Sequence, residues 1–176
     1  MFIERGFDNT TIDDIARAAG IGRRTFFRYF PSKNDVAWGD FDGLLKHMRG
    51  YLAAVPASVP LMDALREAVI DFNTVPAGQE LFHRQRMTLL LTVPSLIAHA
   101  NLRYAEWRQV VAEFAAARLK LPIDTLSPQV IGWTLLSLSL AAYEQWLTQE
   151  DAELTDLLQA AFAVLPNAFG LFGGRQ

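Results

Sequence analysis

Along most of this chain apolar side chains recur three and four positions apart, and almost nowhere do they alternate with polar ones. A period near 3.6 residues is that of amphipathic helices, so the pattern predicts an all-α protein. Proline and glycine supply the punctuation. Thr11 stands where an N-cap belongs, with Asp14 three positions on as a shorter version of the capping-box acid. Ile12, Ile15, Ala16 and Ala19 then share one face, which predicts a short helix over 12–19. Gly20 can take the left-handed conformation that ends it, and Ile21 can fill the corner. A second short helix opens near Arg23 and carries Phe26, Phe27 and Phe30 as packing residues. Two short helices across a tight glycine turn have the pattern of a helix-turn-helix.

Pro31 breaks the chain, and Ser32 followed by Asp35 repeats the capping signal. The long helix it predicts runs to about Ala54, with Val36, Phe41, Leu44, Leu45, Met48 and Leu52 on its apolar face. Prolines at 56 and 60 mark a loop, and later helices are predicted over 61–74, 78–92, 95–120, 128–148 and 152–165. The predicted organisation is a helix-turn-helix unit over 1–42, a helical body over 43–170 and a flexible glycine-rich tail over 171–176. The long helix reads as a strut shared by unit and body.

Composition narrows the class. Of 176 residues 51% are hydrophobic and 20% charged, which excludes disorder and leaves room for one or two packed cores. With no cysteine and no opening that resembles a cleavable signal peptide, a cytoplasmic protein without disulfides is expected. The uncharged stretch between Asp124 and Glu144 is long enough to raise the question of a membrane span. Thr125, Ser127, Gln129, Thr134, Ser137 and Ser139 make it too polar for a lone one, so a helix buried against protein is expected. Net charge is −3, but residues 1–50 hold eight Lys/Arg against seven Asp/Glu, and residues 51–176 hold eight against twelve. From Ala18 to Asn34 the chain carries Arg23, Arg24, Arg28 and Lys33 with no acid, a local basic face on an acidic protein.

The segment TTIDDIARAAGIGRRTFFRYFPSKNDV, Thr10 to Val36, resembles the DNA-binding signature of TetR-type transcriptional regulators. The resemblance implies that the second helix of the motif enters the major groove of a palindromic operator, with the protein acting as a homodimer. It places Arg23, Arg24 and Thr25 at base edges, and Thr11, Tyr29 and Lys33 at phosphates, with Arg28 as a further contact. Chemistry agrees: a guanidinium at the start of a recognition helix can bond guanine O6 and N7 together, and Lys33 adds its charge at a helix N-terminus. Three departures stand out. Only Met1 to Gly6 occupy the place of a full first helix, which implies a start assigned too late or an incomplete DNA-binding unit. Gly22 replaces a common capping Ser or Thr, and Phe27 stands where many members carry a phosphate-bonding tyrosine. The segments Gly20–Asp42 and Leu102–Phe114 are further similar to the branch of this family associated with the mycofactocin system of actinobacteria, which implies control of redox-cofactor or dehydrogenase genes.

Such regulators sense small molecules in the helical body. Trp38, Phe41, Phe72, Phe82, Met87, Leu90, Leu91, Tyr104 and Trp107 are the candidates for an apolar wall, and His83, Arg86, His99, Arg103 and Arg108 for polar anchors. An apolar site with cations at its mouth suits an acyl chain with an anionic head, such as an acyl-CoA. For the dimer, Ile131, Leu135, Leu138, Ala142 and Trp146 form one helical stripe, and Leu154, Leu157, Leu158, Ala161 and Leu165 another. A four-helix seam is the expectation. No enzyme is expected, since nucleophile-elbow, phosphate-loop and HExxH patterns are all missing and the three histidines lie far apart. Neither a cofactor nor a metal is expected. A scattered catalytic site, or a helical adaptor that binds only protein, remains the alternative class.

Overall fold

The structure, a computed structural model, describes residues 1–165; the predicted tail at 171–176 lies outside the described residues. These form ten helices and no strand, as the hydrophobic period predicts. They are α1 Phe2–Arg5, α2 Ile12–Ala18, α3 Arg23–Tyr29, α4 Lys33–Trp38, α5 Phe41–Ala54, α6 Leu61–Phe72, α7 Glu80–Thr92, α8 Pro94–Leu119, α9 Leu126–Thr148 and α10 Leu154–Val164.

One predicted helix is divided. The element expected from Ser32 to Ala54 leaves helical geometry at Gly39, with φ 62° and ψ −141°, and resumes at Phe41. That backbone region is nearly closed to residues with a Cβ, so the glycine is what permits the corner. The apolar period runs on through it because Trp38 and Phe41 are both buried and their rings meet edge to face at 5.2 Å. A continuous strut is therefore not what this stretch makes.

Two compact units result. The first contains residues 1–41 together with 77–101, so α7 and the first turns of α8 join the helix-turn-helix segment. Here α2 packs on α3 and α4 on α7, around Phe7, Ala16, Phe26, Ala37, Leu90 and Leu96. The second contains residues 42–76 and the described residues from 102 on. In it α10 packs on α9 and α6, over a core that includes Met48, Leu65, Val69, Val111, Leu135 and Leu158.

Local chemistry fixes the second unit in three places. A Cβ on Gly132 would come within 3.2 Å of the Arg108 carbonyl oxygen, so this glycine lets α9 lie close against α8. Tyr143 donates a buried hydrogen bond to Asn73 Oδ1 at 2.8 Å, while the Asn73 amide donates to the Val69 carbonyl. Arg118, above the Phe114 ring, donates to the carbonyls of Val55, Pro56, Ala57 and Val59 and so pins the loop that the prolines open. Although α9 has nine buried residues, no helix among the described residues is long and apolar enough to cross a membrane.

Candidate functional site

Both ends of α2 close as the sequence suggests. The Thr11 amide donates to Asp14 Oδ2 at 3.0 Å, and the Asp14 amide donates to Thr11 Oγ1 at 3.1 Å, which completes a capping box. The Thr11 hydroxyl also donates to that carboxylate, and these bonds hold the Asp14 carboxyl below its ordinary range. At the other end Gly20 takes φ 66°, with Ile21 N–H reaching the Ala16 carbonyl and Gly20 N–H the Arg17 carbonyl. This double closure is a Schellman motif, and it sends the chain into α3 within a few residues. Phe26, 1% exposed, anchors α3, so the opposite face of that helix is left to solvent.

The exposed face of α3 carries the arginines, each in a different setting. Arg23 Nη1 donates to both carboxylate oxygens of Asp13, at 3.0 and 3.1 Å, and its guanidinium stands 5.6 Å from the Phe27 ring centre. Arg24 is exposed and makes no hydrogen bond or ion pair among the described residues. Arg28 lies 4.9 Å over the exposed ring of Tyr29 and donates to its hydroxyl. Thr25 is half-buried beside them. Phe27, read as packing, is 44% exposed instead, because α3 has only one buried face and Phe26 fills it.

Lys33 and Asp35 do inward work. The Lys33 ammonium, expected at a phosphate, donates to the Phe7 carbonyl at 2.9 Å and lies 4.4 Å over the Phe7 ring. Asp35, which sequence reasoning saw only as a cap, is 6% exposed. Its carboxylate accepts from the Ser32 amide and hydroxyl and, on the other oxygen, from His99 Nε2 at 3.1 Å. His99, a predicted ligand anchor, is thus held to the corner that follows the recognition helix.

Most of the other predicted sensor residues also have partners inside their own unit. In the first unit Arg86 donates to His83 Nδ1 at 2.7 Å, and its guanidinium passes over Gly39, whose absent Cβ would sit 3.6 Å from Nη1. Burial, then the positive charge of Arg86, pulls the His83 pKa down to about 4. The ring is therefore neutral, with its proton on Nε2. Leu90 is buried and Met87 half-buried, whereas Phe82 is 66% exposed at the opening turn of α7. In the second unit Phe72 and Trp107 meet edge to face, and burial raises the Tyr104 phenol above its ordinary pKa, helped by Glu144. Arg103 donates to Asp42 and Glu106, which leaves it a poor anchor for an anion. Arg108 lies 3.3 Å over the Trp133 ring with Nε and Nη1 buried and no hydrogen-bond partner, and loss of water lowers its pKa.

A pH test follows from His83. Its folded pKa lies below the ordinary 6.5, so the unfolded chain binds the proton more readily. The stability tied to the neutral ring is complete above that value and is lost as pH falls through the window from 6.5 to about 4, up to about 3 kcal/mol. His83→Asn keeps an acceptor for Arg86 without a titrating ring, and should lose less than the native chain across that window. Thermal melts at stepped pH decide it; parallel curves for the two proteins would remove His83 from the account.

The residues expected at a subunit seam lie mostly inside this chain. Leu135, Leu138, Ala142, Trp146, Leu154 and Leu158 are all buried within this chain, and Ala161 and Leu165 are half-buried. The cause is the packing of α9 and α10 on each other and of α10 on α6, which uses those stripes internally. The large apolar residues left exposed on these helices are Leu126, Val130 and Trp133 on α9, and Val164 on α10.

A capped short helix, a Schellman turn and an arginine-bearing second helix define a helix-turn-helix DNA-binding unit. Residues 1–37 match the family described as bacterial regulatory proteins, tetR family, and residues 59–170 match the MftR C-terminal domain. The chain belongs to the TetR family of bacterial transcriptional regulators, within the branch defined by that C-terminal domain. It is 44% identical over 165 residues, covering 94% of this chain and 83% of the relative, to the protein named as mycofactocin biosynthesis transcriptional regulator MftR of Mycobacterium tuberculosis. It is 25% identical over 169 residues, 92% of this chain and 74% of the relative, to the HTH-type transcriptional regulator TcmR of Streptomyces glaucescens. Among solved structures it is similar in fold to the TetR-family repressor FadR of Thermus thermophilus in complex with lauroyl-CoA. The TM-score is 0.58 and the identity 23%, with 94% of this chain and 88% of that one covered.

Proposed function

We propose that this chain is a ligand-responsive repressor that binds a palindromic operator as a homodimer and controls mycofactocin-related redox genes in the cytoplasm. The observation that carries the DNA reading is the outer face of α3, where Arg24 and Arg28 stand one turn apart, both exposed, next to Arg23 at the helix start. Arg23, Arg24 and Thr25 take base edges, while Thr11, Arg28 and Tyr29 take phosphates. Lys33 serves the same surface from behind, by holding Phe7 in place.

The effector in this reading is an apolar small molecule with an anionic head, such as an acyl-CoA. The Thermus thermophilus protein was crystallised with lauroyl-CoA. In this chain Phe72, Tyr104 and Trp107 supply apolar and aromatic surface, and Arg108 supplies a guanidinium without a carboxylate partner among the described residues. An anion on that guanidinium would make charge-assisted hydrogen bonds with donors that protein groups leave unused.

Sequencing of genomic fragments captured by the protein, followed by mobility shifts on the enriched fragment, tests the reading. The native protein should shift that fragment and not a scrambled one, and a long-chain acyl-CoA should release it where CoA alone does not. Arg24→Ala should cost about 1–3 kcal/mol on the matched duplex and relax preference at one position per half-site. Equal affinity for captured and scrambled DNA would end the regulator reading. Retention of the complex at saturating acyl-CoA would end only the effector reading.

A further inference from the structure

We infer that Asp13, an acid on the helix before the recognition helix, sets base specificity by positioning Arg23 as a guanine reader. The inference rests on the proposal that Arg23 meets base edges, and deepens it. Asp13 is the second residue of α2 and Arg23 the first of α3, and the Schellman turn between the two helices fixes their separation. One nitrogen of the guanidinium, Nη1, gives its hydrogens to both carboxylate oxygens at 3.0 and 3.1 Å. The Phe27 ring, one turn along α3 and itself exposed, flanks the same group at 5.6 Å. Arg23 is thus held on two sides, while its Nε and Nη2 have no partner among the described residues.

What remains free is the edge that matters. A guanidinium bonded through Nη1 can still offer Nε and Nη2 together, and such a two-donor edge matches guanine O6 and N7. A carboxylate beside the guanidinium also changes what that group favours. The pair is close to neutral, so a phosphate gains little from it and is repelled by Asp13, whereas a neutral base edge with two acceptors is not. Side-chain exposures of 60% for Arg23 and 55% for Asp13 make this a solvent-facing pair of small worth to folding. Its consequence therefore lies in orientation and selectivity. Arg24, adjacent and with no ion pair among the described residues, is the internal contrast: it keeps a full charge, and no neighbouring carboxylate sets how it meets a base edge.

The test is selection from a randomised duplex pool, run on the full chain with native protein, Asp13→Asn, Asp13→Glu, Arg23→Ala and the Asp13→Asn/Arg23→Ala double variant. Native protein should enrich a palindrome with one guanine per half-site that Arg23→Ala no longer selects. Asp13→Asn should flatten the same position by about fivefold or more and leave the others. It should also bind a non-cognate duplex more tightly, with a salt dependence steeper by about one unit per half-site. Asp13→Glu, which restores the charge, should recover part of the discrimination, and Asp13→Asn should add nothing in the Arg23→Ala background. Far-ultraviolet circular dichroism confirms that each variant is folded. A native palindrome with an unchanged Asp13→Asn profile overturns this inference alone; no enrichment by native protein overturns it together with the DNA reading.

Discussion

Replacing Asp35 by alanine should lower stability by about 3 kcal/mol and loosen the segment that follows the recognition helix. Its carboxylate accepts from the Ser32 amide and hydroxyl, which closes the start of α4, and from His99, which ties the cap to α8. Losing an N-cap interaction costs about 1 kcal/mol, and leaving a buried donor without its charged acceptor costs about 1–3 more. The Asp35 side chain is 8% exposed, so water cannot take its place. Asp35→Asn, which keeps one acceptor oxygen at the cap, should lose roughly half as much, and His99→Ala should leave the cap intact while removing the tie. A double-mutant cycle between 35 and 99 isolates their coupling, and amide exchange over Lys33–Trp38 shows whether the loss is local to α4. A denaturant midpoint for Asp35→Ala within error of the native one would show that the cluster is redundant. Operator affinity should fall with protection of α4, because only Phe30, Pro31 and Ser32 separate α4 from α3, the helix that carries Arg28.

The fold was largely legible because its signals are local. The Thr11 and Ser32 caps, the Gly20 turn and the 3.6-residue period each act within a few residues, and the helices they open are present, the long one after Ser32 divided at Gly39. Gly39 does not stand out as a break in the sequence because apolar residues on both sides, Trp38 and Phe41, both buried, keep the helical period going. Partners distant in sequence were not legible at all. Lys33 finding Phe7, and Asp35 finding His99 across 64 positions, depend on how helices pack, and no spacing announces them. The arginine face of α3 could be read from the motif, but Asp13 could not, since an acid in the first turn of α2 already has a reason to be there at the positive end of that helix. The same limit holds for α9: on a helix apolar nearly all round, periodicity gives two faces and does not say which is internal.

Trp133→Glu should convert the proposed dimer into a folded monomer and abolish tight operator binding, whereas Leu158→Glu should fail to fold. On α9 the large apolar residues facing solvent are Leu126, Val130 and Trp133, at spacings of four and three, and the small residues Ser137 and Ala141, also exposed, follow at further spacings of four. On α10, which packs beside α9, Ala160 and Val164 are exposed as well. A stripe of large apolar groups at one end and small ones at the other invites a second helix pair, and a twofold axis presents each stripe with its own copy. Glutamate at 133 is tolerated by the protomer because Arg108 lies against that position and can pair with it. At 158 it is not, since a side chain 1% exposed would bury an unpaired charge at a cost of several kcal/mol. Sedimentation at micromolar concentration should give a native dimer and a Trp133→Glu monomer of native helix content. Operator affinity should drop a hundredfold or more, because two recognition helices no longer reach the palindrome as one linked unit. A Trp133→Glu protein that sediments as a dimer and holds the operator as tightly as native would place the seam elsewhere.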